Sequence, residues 1–145
     1  MARYSLGSRT TATASGVANW ELRSTATDRL RVMELGIVVA AATASTFGLG
    51  RPAAIGVTPT SPVTILAEDS GDAAGTGTVA LAWGTAPTAP TGSAYLRRVA
   101  TPASIGAGIV WTFGENGLVV PISSSIVIYN LSTTGVADIY VVVDE

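Results

Sequence analysis

Three carboxylates lie close together in one short stretch of the chain, EDSGDAAGTGT at residues 68–78. Glu68, Asp69 and Asp72 carry oxygen atoms of the kind that calcium binds. An EF-hand loop, however, needs oxygen-bearing residues at alternate positions and a glutamate at the twelfth, and this stretch has neither. We therefore predict no metal site, with these three residues as weak candidate ligands, and expect a solvated connection between strands.

The glycines of the same stretch raise the question of a phosphate site, because glycine-rich loops bind phosphate through backbone N–H groups. The segment GTGTVA at residues 75–80 contains no Lys-Ser/Thr pair, and no helical pattern follows it. It therefore matches neither a P-loop nor a dinucleotide-binding fingerprint. We predict that the chain uses no cofactor.

The residue types that carry most enzyme chemistry are missing from the chain. It has no Cys, His, Lys or Gln, and all eight of its basic residues are Arg. The serines at 123–125 therefore have no ordinary base to activate them. A glycosidase needs only two carboxylates, but no spacing singles out a pair among Glu21, Glu34, Glu68 and Glu115. We predict that the chain is not an enzyme.

Two tryptophans offer a different kind of site, because an exposed indole ring can stack against a sugar. Trp83 and Trp111 each stand in phase with aliphatic neighbours on the same strand pattern. That phase predicts core packing rather than a sugar-binding platform.

Composition limits the partners. Only 12% of the 145 residues are charged, about half of the roughly 25% usual in soluble domains. The net charge of −2 is too small to hold nucleic acid, so we expect no nucleic-acid partner. The longest apolar run, LGIVVAAATASTFGLG at 35–50, is too short to span a bilayer, and no signal peptide is visible at the N-terminus, so we expect no membrane association.

The first residues differ in composition from the rest. Residues 1–27 are rich in Ser, Thr, Ala and Arg and have little hydrophobic periodicity apart from a candidate short element around VANWEL, residues 17–22. We therefore predict an extended N-terminal arm over 1–27 and one folded domain over 28–145. Basic residues concentrate in the first third and acidic ones at 68–72 and at the C-terminus, an asymmetry that serves either docking or solubility.

Strand patterns dominate the predicted domain. In DRLRVMELGIVVA the apolar phase changes near Met33 and Glu34, as a β-bulge requires. TVALAWG predicts a strand with Val79, Leu81 and Trp83 on one face. Further strands are predicted at 63–66, in AYLRRVA, and in GIVWTFG, followed by a turn at ENG.

The C-terminal part predicts three strands: Leu118 to Val120, Ser125 to Leu131, and Ala137 to Val143. STTG at 132–135 predicts a hairpin between the last two. Both faces of these two strands are apolar, so neither face should meet water. The cover could be a second sheet, the arm or a neighbouring subunit. We predict a subunit interface at Tyr129, Leu131, Tyr140 and Val142.

Taken together, eight or nine short strands with regular turn signals and almost no helical periodicity indicate an all-β fold. We predict an antiparallel β-sandwich, jelly-roll-like, with the extended N-terminal arm attached.

Several phrases of the sequence resemble a known family. They are RLRVMELGIVVAAATASTFGLGRPAAIGVTPTSPV, VALAWGTAPT, LRRVATPASIGAGIVWTF and LVVPISSSIVIYNLSTTGVADIYVVVDE. Together they cover nearly the whole chain and resemble small virion proteins encoded among the head genes of tailed bacteriophages. Within that group the chain is most similar to capsid decoration, or cement, proteins. The resemblance includes no catalytic motif, so no functional residue is carried over.

The resemblance implies a structural role. Decoration proteins are jelly rolls or β-sandwiches, often trimers or dimers, that bind the outside of the capsid and clamp neighbouring major capsid subunits. For this chain we accordingly expect the major capsid protein as partner, self-association as a homotrimer or a dimer, and location on the capsid surface of the virion after synthesis in the host cytoplasm. The predicted arm would contact the capsid through Arg3, Arg9, Trp20 and Arg23.

Two other functions fit the same composition. One is a tail, tube or head-tail adaptor subunit. The other is a carbohydrate-binding head-fibre module, which would require exposed aromatic rings.

Overall fold

The computed structural model describes residues 1–132 and 134–145. This part of the chain contains fourteen β-strands, one 3₁₀ turn at Thr91–Ser93 and no α-helix. No helix in the described part is long and apolar enough to cross a membrane. The strands, in chain order, are β1 (Arg3–Arg9), β2 (Val17–Arg23), β3 (Leu30–Val39), β4 (Ser45–Gly50), β5 (Val57–Pro59), β6 (Val63–Thr64), β7 (Leu66–Ala67), β8 (Thr78–Ala80), β9 (Trp83–Thr85), β10 (Arg97–Thr101), β11 (Gly108–Thr112), β12 (Leu118–Val120), β13 (Ser125–Asn130) and β14 (Ala137–Asp144).

The strands form two six-stranded sheets and one small ribbon, and every pairing is antiparallel. Sheet A has the order β11-β3-β14-β1-β7, with β12 beside β11 on the same edge of β3. Sheet B has the order β10-β4-β13-β2-β8-β6. The ribbon consists of β5 and β9. The predicted all-β, antiparallel class is therefore confirmed, with more strands than the eight or nine expected.

One hydrophobic core joins the two sheets. Sheet B contributes Trp20, Leu22, Ile126 and Ile128, and β3 and β14 of sheet A contribute their buried Leu, Ile and Val residues. Burying one such side chain fully contributes roughly 1.5–3 kcal/mol before the entropy of ordering it is subtracted. The shared core therefore fixes which face of each sheet points inward.

The predicted bulge lies in β3. Val142 of β14 pairs with Glu34, whereas Val143 pairs with Val32, which leaves Met33 as the extra residue. The bulge shifts the alternation by one residue, so that Leu35 and later core residues also point inward. The prediction of a phase change near Met33 and Glu34 is confirmed.

The predicted arm over residues 1–27 is not present as an arm. β1 pairs with β14 along its whole length, and β2 pairs with β13 and β8 inside sheet B. The polar composition of both strands obscured them: in β1 only Tyr4 and Leu6 are apolar, and β2 buries two polar residues, Asn19 and Glu21.

Two other expectations about strands need correction. TVALAWG is not one strand: β8 ends at Ala80, and Trp83 begins β9 and packs on the opposite side of sheet B from Val79. β13 and β14 lie at the predicted positions but do not form a hairpin, because β13 belongs to sheet B and β14 to sheet A. The connecting STTG segment includes residue 133, which lies outside the described residues.

Candidate interaction surface

The outer face of sheet A is open and carries two of the residues predicted to form a subunit interface, Tyr140 and Val142. It is formed by alternate residues of neighbouring strands, in register across β11, β3, β14 and β1. Its apolar residues belong to neither buried cluster. Val110 is 51% exposed, Val38 36% and Leu66 62%, and Tyr140 and Val142 are half-buried among them.

Tyr140 lies at the centre of this face. It pairs with Gly36 across the strands, and its ring occupies the space that a side chain at position 36 would need. Its hydroxyl donates a hydrogen bond of 2.6 Å to Oε1 of Glu34. That hydrogen bond, together with partial burial and the nearby negative charge, raises the pKa of Tyr140. The ring is therefore held against the sheet, with one side available to a partner.

Two ion pairs border the face along β1 and β14. Arg3 Nε lies 2.9 Å from Asp144 Oδ1, and Arg9 Nε lies 2.7 Å from Asp138 Oδ1. Both pairs are cross-strand neighbours in register. The hydrogen bond from Arg9 lowers the pKa of Asp138. These charges are already neutralised, so the border can lie against a partner without leaving an isolated charge.

A shallow cavity of about 310 Å³ opens beside Tyr140. Gly7 leaves space there because it has no side chain, and Val38, Arg9 and Asp138 form the other walls. A cavity of this size with an apolar floor and a charged border can accept a single side chain from another protein.

The outer face of sheet B is covered by the chain itself. Ala18, Val127 and Tyr129 are buried there beneath Trp83, Tyr95 and Leu131. The Tyr129 hydroxyl donates to the carbonyl of Thr88 at 2.7 Å, and burial raises the pKa of Tyr129. The rings of Tyr95 and Tyr129 meet edge to face, with centroids 5.7 Å apart.

A buried carboxylate fastens this cover. Glu21 is fully buried, and its Oε1 accepts hydrogen bonds from Ser125 Oγ at 2.7 Å and from the Gly56 amide at 3.2 Å. Its Oε2 accepts one from Trp83 Nε1 at 2.6 Å. Arg23 lies 3.8 Å from Oε2 and donates to the Gly56 carbonyl. Because Gly56 and Trp83 belong to the ribbon region, Glu21 ties that region to sheet B.

The four residues predicted to contact a capsid do not share a surface. Arg3 and Arg9 lie on the border of the open face of sheet A. Trp20 is completely buried in the core, where its Nε1 donates to Ser8 Oγ at 3.1 Å, so it cannot touch a partner of the folded chain. Arg23 lies beside Glu21.

The four residues predicted to form a subunit interface divide between the two faces. Tyr140 and Val142 lie on the open face, whereas Tyr129 and Leu131 belong to the covered cluster. Tyr129 has no exposed surface and is not available to another chain.

The acidic stretch forms a local turn. Asp69 Oδ1 accepts from the Gly71 amide at 2.8 Å, and the Asp72 amide donates to the Asp69 carbonyl at 3.0 Å. Among residues 1–132 and 134–145, no group of three or more potential ligands could hold a metal ion.

Core packing is confirmed for Trp111, whereas Trp83 packs against the second buried cluster, outside the core that the two sheets share. Trp111 lies in the shared core at 7% exposure, as predicted. Trp83 is half-buried in the cover of sheet B, with its N–H bound to Glu21.

Three residues of the open face escaped the sequence reasoning: Gly36, Val38 and Val110. The alternation Glu34, Gly36, Val38 opposite Leu35, Ile37, Val39 carried the signal, because every second residue must face away from the core.

Comparisons with protein-family models, with curated proteins and with solved structures find no match for this chain. The arrangement of sheet A, an apolar centre with a polar border, has the anatomy of a protein interface.

Proposed function

We propose that this chain is a non-catalytic structural protein of a bacteriophage virion that binds the outside of the capsid and cements neighbouring major capsid subunits. The observation that carries the proposal is the open outer face of sheet A, an apolar surface bordered by neutralised ion pairs. The family resemblance of the sequence supports the choice of the major capsid protein as the partner.

The fold we propose is a jelly-roll-like β-sandwich. Consecutive strands alternate between the sheets at both ends of the chain: β1 and β3 belong to sheet A, β2 and β4 to sheet B, and β13 is followed by β14 in the other sheet. The two sheets also share a core. Such crossing between sheets is typical of jelly rolls and is consistent with capsid-associated proteins.

Binding would depend on burial of the open face. Val38, Val110 and Val142 would lose water contact, and the cavity beside Tyr140 would receive a side chain of the capsid subunit. Each copy contributes a modest affinity, and a shell is stabilised because many copies bind the assembled state and not the free subunits. Ile55 and Val57, on the ribbon side of sheet B, are also exposed, so the contact is located by comparing variants on both sides of the molecule.

Capsid binding by face variants tests this function. Tyr140→Asp and Val142→Asp place a charge in the centre of the face and should weaken binding to undecorated capsids at least tenfold in co-sedimentation. Val57→Asp is the matched control, because Val57 is 57% exposed on the ribbon over sheet B. Circular dichroism verifies that each variant is folded. Unchanged capsid binding by both face variants would disprove the proposed contact.

The tail or adaptor alternative makes a different prediction. A label attached to the chain would then decorate purified tails or portal regions and leave the capsid surface bare in electron micrographs.

A further inference from the structure

Charge is segregated between the two lateral edges of the sheets. Outside the three ion pairs, five arginines have no carboxylate within 4 Å among the described residues. All five lie on or next to β3, β4 or β10, toward the edge formed by β10, β11 and β12: Arg29, Arg31, Arg51, Arg97 and Arg98. We call Arg51, Arg97 and Arg98 the basic edge.

The guanidinium groups of the basic edge are held in place by neutral groups. Arg97 lies over the ring of Phe113 at 5.8 Å, and Arg98 over the ring of Tyr95 at 5.7 Å. Arg51 donates to the Val119 carbonyl at 2.7 Å. All three residues are exposed. Each group is therefore oriented and still has donors free for a carboxylate.

The opposite edge carries the acids. β7 and β6 are the last strands of sheets A and B there, and the acidic stretch follows β7 directly. Glu68, Asp69 and Asp72 are exposed and form no ion pair with any residue that the structure describes, and Arg3, which lies near Glu68, is engaged with Asp144. We call Glu68, Asp69 and Asp72 the acidic edge.

The remaining carboxylates reduce the separation of positive and negative charge between the two edges but do not cancel it. Glu34 lies on β3 and Glu115 follows β11, so these two carboxylates partly offset the five arginines, whereas Asp28 lies beside Thr76. Asp28 accepts hydrogen bonds from Thr25 and Thr27. Glu145 adds to the acidic side, where it accepts hydrogen bonds from Thr76.

We propose that copies of this chain associate head to tail, with the basic edge of one copy against the acidic edge of the next. The occupant of each edge is thus a second copy of the chain. Like edges repel, so a two-fold edge-to-edge contact is disfavoured, whereas a head-to-tail contact brings arginines of one copy against carboxylates of the next. Head-to-tail contacts close into a ring when the rotation between copies allows it and otherwise form a filament.

The proposal deepens the proposed function, because it names the lateral partner of each copy on the shell, and it rests on that function only for the location. Self-association is measured in solution without capsids, whereas the proposed function is measured by capsid binding. A failure of one is therefore distinguishable from a failure of the other.

Charge-reversal variants test the edges. Arg97→Glu with Arg98→Glu makes both edges acidic, and Asp69→Arg with Asp72→Arg makes both edges basic. In light scattering at low salt, the unaltered chain should form oligomers and each variant alone should be monomeric. An equal mixture of the two variants should associate again, and a chain carrying all four substitutions should self-associate. About 1 M salt should dissociate all of these assemblies.

Exchange of one existing ion pair is the matched control. Arg9→Asp with Asp138→Arg alters the same number of charges away from both edges and should leave the oligomeric mass unchanged. The proposal is overturned if the unaltered chain is monomeric at low salt, if the folded variants do not associate when mixed, or if oligomers persist in both edge variants.

Discussion

The outer faces of the two sheets differ in whether the chain itself shields their apolar residues from water. Each sheet already buries one face in the shared core, and each carries apolar residues on its other face. The chain folds its ribbon and the segment bearing Tyr95 over sheet B, and leaves sheet A open. An apolar face without an internal cover is the surface on which a protein can bind a partner.

The covered face of sheet B and the open face of sheet A each contain a glutamate that is bonded to an aromatic side chain. Glu21 and Glu34 each accept a 2.6 Å hydrogen bond from an aromatic side chain, Trp83 in one case and Tyr140 in the other. Glu21 is fully buried and accepts two further hydrogen bonds. Glu34 is half-exposed, and the rest of its carboxylate is left to water or to a partner. A glutamate that accepts a hydrogen bond from an aromatic side chain therefore holds the cover against sheet B, whereas on the open face of sheet A the same kind of pair stays partly exposed.

The largest difference is expected from removing a tyrosine from each face. Tyr129→Ala leaves a cavity beneath the cover and should lower the free energy of unfolding by about 3–5 kcal/mol. Tyr140→Ala removes a half-buried ring and should lower the free energy of unfolding by about 1 kcal/mol. Urea unfolding measures both. Equal losses at the two positions would mean that the faces do not differ in burial as described.

A smaller effect is expected from Glu21→Gln. Donors approach both carboxylate oxygens, so either orientation of the amide turns its NH₂ group toward an N–H donor. We expect the free energy of unfolding to fall by about 1–3 kcal/mol and an acrylamide quencher to reach Trp83 more easily. Glu34→Gln is the control on the open face, because one amide oxygen can still accept from Tyr140. A stability loss for Glu34→Gln as large as that for Glu21→Gln would contradict the fastening role.

The smallest effect concerns the border of the open face and its pH dependence. The pKa of Asp138 is lower in the folded chain than in the unfolded chain, because Arg9 binds the carboxylate. The stabilisation is thus complete above the unfolded pKa of about 3.9 and is lost as the pH falls through the folded value. Asp138→Asn should remove this contribution and bring the melting temperatures of variant and parent together at low pH. Melting curves recorded across acidic pH measure the difference in melting temperature between the variant and the parent. If that difference were the same at every pH, the ion pair would be excluded as its cause.

Sequence reasoning succeeded where the decisive signal was local. The bulge at Met33, the strand from Leu118 to Val120 and the core position of Trp111 all follow from alternation within a few residues. It missed β1, and it assigned the short element around VANWEL to an arm rather than to a sheet, because the polar residues of both strands find partners far away in the chain, such as Asp144 for Arg3 and Ser125 for Glu21. Composition alone cannot distinguish a satisfied polar strand from an unstructured arm.

The pairing of strands was also beyond the sequence. STTG has the composition of a hairpin turn, yet the strands on either side of it belong to different sheets. A turn sequence determines that the chain changes direction, whereas the neighbour of each strand depends on long-range packing.

That β13 and β14 are strands with two apolar faces follows from the amino-acid sequence alone, because side-chain alternation is a local property of extended backbone. Which of those faces the chain covers depends on long-range packing. The cover of sheet B requires Gly56, Trp83 and Tyr95 to meet β2 and β13, and these contacts form only when distant segments pack together. For the same reason, the open face around Tyr140 could be located only after the cover of Tyr129 was known.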